Sequence, residues 1–109
     1  MDNPKLLSLL GMCRKAGKLS CGHDGAVGAI RSKSAKLCLL SSDSSERLRN
    51  EIARETSYEG CSLPVKMIES DMMEIGSATG LKSAVLTVND EGFAKAMLRL
   101  LTTEEEVNG

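Results

Sequence analysis

From Pro4 to Ala16 the chain places apolar residues at helical spacing. Leu6, Leu7, Leu9, Leu10, Cys13 and Ala16 form one stripe, with Lys5, Arg14 and Lys15 off it. Asn3 before Pro4 reads as an N-cap with proline at the first helical position, and Gly17 is placed to end the helix. Lys18 to Cys21 has room only for a short strand. Asp24 then reads as the cap of a second helix reaching about Ser32, with Val27 and Ile30 facing inward. Leu37 to Leu40 is a continuous apolar run of strand length, the pattern of a strand covered on both faces.

Asp43 and Glu46 stand at capping-box spacing and open a third helix. Its apolar stripe, Leu48 and Ile52, is thin, so this helix is expected to be the most exposed. Leu63 to Ile68 reads as a strand with Pro64 near its start, where a missing N–H is tolerated. Asp71 and Glu74 repeat the capping box, and Gly80 closes a short fourth helix. Ala84 to Val88 is the last apolar strand, and a final helix presents Phe93, Ala96, Met97, Leu100 and Leu101 to the core.

Strands alternate with helices, which implies a layered α/β sandwich. The expected core is Leu6, Leu10, Val27, Ile30, Leu37, Leu39, Val65, Ile68, Val85, Leu86, Phe93 and Met97. The reading is of one monomeric domain over residues 1–101. A tail over 102–109, acidic at Glu104, Glu105 and Glu106, is expected to be solvated and mobile.

The 109 residues, 41% hydrophobic and 27% charged, suit one ordinary soluble domain. No apolar run approaches the ~18 residues a membrane span requires. The first helix is charged and lacks a small-residue cleavage site, so a cytoplasmic protein with no membrane partner is expected. Cys13, Cys21, Cys38 and Cys61 contain no C-x-x-C and are expected to be free thiols. Cys13, Cys21 and His23 match no common zinc spacing, and no metal is expected. Neither nucleotide-binding glycine motif is present, and the single histidine has no serine–histidine–acid order around it. Asp71 and Glu74 read better as a cap than as a catalytic pair. No enzymatic activity, cofactor or small-molecule substrate is expected.

Residues 1–40 hold seven basic and two acidic side chains, whereas residues 41–109 hold seven basic and thirteen acidic ones. A polyanion would therefore meet the N-terminal part. There, Gly22, Gly25 and Gly28 surround a strand-to-helix junction whose helix start offers unpaired N–H groups to an anion. The glycines would let phosphate or base edges reach the backbone, with Lys18 and Arg31 as phosphate contacts; alternatively they serve close packing of helix against sheet. Tyr58 and Phe93 are the only aromatics, too few for a stacking platform, so recognition would rest on shape and phosphate.

These residues resemble the kink-turn-binding ribosomal protein family of the L7Ae/L30e type, and within it the small bacterial YlxQ-like branch. The resemblance lies in Gly17-Lys18 at a helix end, the strand-bearing stretch Ala35 to Asp43, Ile75-Gly76-Ser77-Ala78-Thr79-Gly80, and Val88 to Ala94. It spans nearly the whole chain apart from the acidic tail. It implies a three-layer α-β-α sandwich around a four-stranded mixed sheet. It also implies binding to structured RNA, ribosomal in kind, with ribosomal proteins as further partners. The family's Gly-x-Asn-Glu-x-x-Lys motif falls on Gly22-His23-Asp24-Gly25-Ala26-Val27-Gly28, where Gly22 is kept but Asp24, Gly25 and Gly28 replace the base-reading side chains. The family's base-covering loop falls on Leu81-Lys82-Ser83. The expected RNA surface is thus Lys18, Ser20, Gly22, His23, Asp24, Gly25, Gly28 and Arg31, facing Leu81 and Lys82. The rival expectation is the same fold used as a protein-interaction module, with RNA readout lost.

Overall fold

The computed structural model describes residues 4–108, with side chains through Leu101. The elements are α1 (Pro4–Lys15), β1 (Leu19–Cys21), α2 (His23–Arg31), β2 (Leu37–Leu40), α3 (Glu46–Glu55), β3 (Val65–Met67), α4 (Met72–Thr79), β4 (Val85–Val88) and α5 (Glu91–Asn108). Asn3, expected to cap the first helix, lies outside the described residues. The backbone of α5 continues to Asn108 along the stretch expected to be an acidic tail. The side chains beyond Leu101, and Gly109, lie outside the described residues.

The sheet order is β1-β4-β2-β3. β4 runs antiparallel to both β1 and β2, while β2 and β3 are parallel, so the sheet is mixed, as expected. Alternation along the strands divides the core in two. Leu37, Leu39, Leu86 and Val88 face Leu6, Leu10, Ile75 and Met97 from α1, α4 and α5. Cys38, Leu40 and Val85 face Ala26, Val27, Ile30 and Ile52 from α2 and α3. The three layers follow from this two-residue period, since each face of a strand needs its own cover.

Ten of the twelve expected core residues are buried, but Val65 and Phe93 are only partly so. Val65 lies on an edge strand with one side unpaired. Phe93 lies in the first turn of α5 and lines a shallow hollow with Leu9 and Ala96. Ala16 is exposed, not part of the stripe, because α1 ends first. Gly17 takes φ 73°, and the amides of Gly17 and Lys18 turn back to the carbonyls of Arg14 and Cys13 at 3.0 Å each, a Schellman closure.

The two capping-box patterns have different fates. Asp71 forms the full box with Glu74, and Gly80 closes α4 in the left-handed conformation. Asp43 caps nothing on α3. Ser45 takes that place, its hydroxyl accepting from the Leu48 amide at 3.1 Å. The Asp43 carboxylate instead accepts from Ser41 Oγ at 2.7 Å and from the Met72 amide at 3.1 Å, tying the end of β2 to the start of α4. α3 buries Ile52 alone, in keeping with its thin stripe.

Candidate nucleic-acid interface

Between β1 and α2 the chain must turn from extended to helical within one residue. Gly22 makes that turn at φ 86°, ψ 168°, a conformation closed to other side chains at ordinary cost, and it is the N-cap of α2. Asp24 is therefore not the cap, as the sequence suggested. It lies in the first turn, where its charge complements the positive end of the helix dipole. No side chain bonds to the amides at this start. A helix opening that lacks such a cap keeps its first N–H groups for water or a ligand.

The junction is fastened to the sheet. The Gly22 amide donates to the Val85 carbonyl at 3.0 Å, and the Ser41 amide donates to Ala84 at 2.9 Å. Both bonds lie where β4 begins, so the loop of Leu81, Lys82 and Ser83 ends beside the start of α2. Thr79 Oγ1 shapes that loop by accepting from the Leu81 amide at 3.2 Å, and Leu81 remains 45% exposed. The Lys82 stem lies across Gly76, where an added Cβ would stand 2.9 Å from Lys82 Cγ. Arg14 donates to the Thr79 carbonyl at 2.9 Å, answering an open carbonyl at the end of α4. Burial raises the pKa of the Cys21 thiol here, with Arg14 and a hydrogen bond to Ser83 opposing it.

Other residues of the expected surface are dispersed. The Lys18 carbonyl accepts from the Asn89 amide at 2.8 Å, at the far end of β4 from Gly22. With four residues in that strand, Lys18 lies roughly 10 Å from the junction. Ser20 is half-buried and accepts from Asn89 Nδ2 at 2.8 Å, so it belongs to the layer beneath α2. Gly25 and Gly28 are exposed, and close packing does not explain them. A Cβ at Gly28 would meet nothing within 4 Å, and one at Gly25 would make an ordinary 3.6 Å contact with Ser20 Cβ.

Sequence reasoning missed two acids. His23 bridges two carboxylates, donating from Nδ1 to Asp24 at 3.0 Å and from Nε2 to Glu51. The Glu51 hydrogen bond, and then that of Asp24, raise its pKa above the usual 6.5. Arg31 forms a two-pronged pair with Glu55, through Nε and Nη2 at 2.9 Å each. This pairing raises the pKa of Arg31 and lowers that of Glu55. Glu51 and Glu55 are one turn apart on α3 and reach the two ends of α2. Their spacing is visible in the sequence, but which basic helix they face depends on tertiary packing. Among the described residues, Lys18 and Lys82 enter no ion pair.

The four cysteines are free. Burial pushes the Cys13 thiol up to about 11 and the Cys38 thiol up to about 12, which keeps both protonated at neutral pH. Among the described residues, no group of three His, Cys, Asp or Glu side chains could hold a metal ion, and no helix is long and apolar enough to cross a membrane.

Residues 4–98 match the Ribosomal protein L7Ae/L30e/S12e/Gadd45 family. The chain is 31% identical over 102 residues to RNA-binding protein YlxQ of Bacillus subtilis (strain 168), covering 93% of this chain and 99% of that protein. It is 30% identical over 100 residues to RNA-binding protein YlxQ of Enterococcus faecium, covering 92% and 94% of the two chains. A protein of unknown function from Bacillus halodurans C has a solved structure with TM-score 0.82 and 28% identity, covering 92% of this chain and 99% of that one. The Giardia lamblia 15.5kD RNA binding protein shares the fold at TM-score 0.69 and 14% identity, covering 97% of this chain and 92% of that one.

Proposed function

The chain belongs to the Ribosomal protein L7Ae/L30e/S12e/Gadd45 family, and from that premise we propose that it is an RNA-binding protein that recognises structured RNA without catalysing a reaction. Its contact region is the start of α2 with the adjoining Leu81–Lys82 loop. Its RNA is ribosomal in kind, and it works in the cytoplasm as a monomer. The observation that carries this reading is the start of α2 without a side-chain cap, held open by Gly22 in a chain similar to relatives that are RNA-binding proteins. Backbone donors and the free ammonium of Lys82 supply phosphate contacts. Gly28 leaves the outer face of α2 bare, and Gly25, exposed beside Ser20, adds no bulk at the helix start, so a phosphate or base edge can approach the backbone there.

The test is an electrophoretic mobility assay against ribosomal RNA over a salt series. The expected result is a retarded complex whose affinity falls by roughly 0.9 log unit per phosphate contact for each tenfold rise in salt on duplex-like sites. A kink-turn and a plain helix should compete almost equally, because each missing bidentate base contact forgoes about 1–3 kcal/mol of discrimination.

A second reading, a protein-interaction module with RNA readout lost, is favoured by one observation. The His23 and Arg31 side chains of α2 are already engaged by Glu51 and Glu55. Absence of any retarded species at low salt, with ribosomal proteins captured by the full chain, would select it.

A further inference from the structure

At the opposite end of α2 from Gly22, a cavity of about 340 Å³ opens between the C-terminus of that helix, the start of β2 and the connection from α3 to β3. Its volume falls near the lower end of small-ligand sites, about 300–1,000 Å³. Ile30, Leu63 and Pro64 give it apolar wall, Tyr58 stands at it 44% exposed, and Lys33 and Lys36 bring two ammonium groups. Among the described residues neither lysine enters an ion pair.

Lys33 carries a second, independent signal. It has φ 64°, the one positive φ outside glycine among the described residues. Its amide and that of Ser34 return to the carbonyls of Ile30 and Ala29 at 3.1 and 2.9 Å, so it occupies the left-handed position that ends α2. Glycine is the usual residue there because a Cβ strains that conformation. A lysine merely complementing the helix dipole could stand elsewhere in the last turn without this strain. That strained position makes Lys33 part of the cavity lining.

We propose that this cavity binds one mononucleotide, with its base against the apolar wall and the Tyr58 ring, and its phosphate between Lys33 and Lys36. A bare phosphate would leave the apolar wall unused, and an apolar ligand would leave two ammonium groups unanswered. Glu59 and Ser62 also line the cavity. Glu59 opposes a phosphate on its own side, which orients the ligand by directing the base, with its amino donors, toward the carboxylate. One tyrosine makes no platform for a strand, but one ring serves one base. The ligand is either a free nucleotide or a single splayed nucleotide of a bound RNA. The site is separate from the RNA surface proposed above, and its test reads different residues.

Amide NMR spectra of the full chain should be recorded during titration with adenosine 5′-monophosphate, adenosine and inorganic phosphate. The monophosphate should give saturable shifts at Lys33, Lys36 and residues 58–64, at millimolar concentration or below, on the order of −4 kcal/mol of binding or better. Adenosine and phosphate should each bind at least about tenfold more weakly, since each lacks half of the contacts. Lys33→Gly should weaken monophosphate binding at least about tenfold, while raising the melting temperature by about 4 °C through relief of backbone strain. That rise guards against mistaking misfolding for lost binding.

Adding Lys36→Ala and measuring RNA affinity separates the two sources. Weakened RNA binding together with lost monophosphate shifts identifies a nucleotide of the RNA, and unchanged RNA binding identifies a free nucleotide. Shifts confined to residues 22–28, no shifts at all, or undiminished binding by Lys33→Gly would each overturn the proposal.

Discussion

Single side chains decide the electrostatics of the α2 surface, and His23 is the most informative of them. It is the only histidine, so its ring protons can be followed without assignment ambiguity. Its pKa is raised by Glu51 and Asp24, so the midpoint in an NMR titration should lie above the usual 6.5. Glu51→Gln should bring it back toward that value, and an unchanged midpoint would show that the Glu51 contact does not persist in solution. Because the folded pKa exceeds the unfolded one, the stability this cluster contributes is fully present below the unfolded pKa and is lost as pH rises through the folded one. Asp24→Asn should increase RNA affinity by removing a fully exposed carboxylate from the proposed contact region and restoring an amide. Equal affinity for both forms would place the RNA elsewhere. Lone residues were legible where local chemistry decides them, as at Gly17 and Gly80, whose backbone alone ends a helix. They were illegible where the partner comes from another element, as with the acids that engage His23 and Arg31.

The same limit governs whole elements. Asp43-x-x-Glu46 and Asp71-x-x-Glu74 are the same pattern, yet only the second forms a capping box, because the first aspartate is drawn across to the Met72 amide. Strand and helix order was readable because apolar spacing reports which face must be covered. The glycines of two helices now separate by what surrounds them. Gly11 lets α1 approach α4, since a Cβ there would stand 2.8 Å from the Ala78 carbonyl oxygen. Gly11→Ala should therefore force the helices apart and cost about 1–3 kcal/mol in denaturant unfolding. Gly28→Ala meets open space and should gain up to about 1 kcal/mol from helix propensity. The same substitution should weaken RNA binding if RNA reaches the α2 backbone. A stabilised variant with undiminished RNA affinity would remove the outer face of α2 from the interface. Gly11→Ala leaving stability unchanged would mean that the α1–α4 contact is looser than the geometry here.

At the scale of the molecule, folding undoes a charge asymmetry that the sequence displays. The first forty residues are basic and the remainder acidic, a division that points to a polyanion at the N-terminal part. Once α2 and α3 cover the same face of the sheet, Glu51 and Glu55 lie against His23 and Arg31. Part of the basic segment is thereby neutralised from within. The strand order that creates this proximity, β1-β4-β2-β3, is set by long-range pairing and leaves no local mark in the sequence. A phosphate that approaches α2 along this side must therefore displace a carboxylate, and a screened surface pair is a weak barrier. Removing both acids, by Glu51→Gln with Glu55→Gln, should release Arg31 to the RNA at neutral pH, and His23 as a second cation only as pH falls toward its ordinary 6.5. Affinity at low salt should rise, and the slope of log affinity against log salt should steepen by roughly 0.9 for each cation that gains a phosphate on duplex-like RNA. A steeper slope with higher affinity would show that α3 restrains RNA binding through these two pairs. An unaltered slope, with the melting temperature also unaltered, would show that the bound RNA lies along the Leu81–Lys82 side of the junction and leaves the α2–α3 seam untouched.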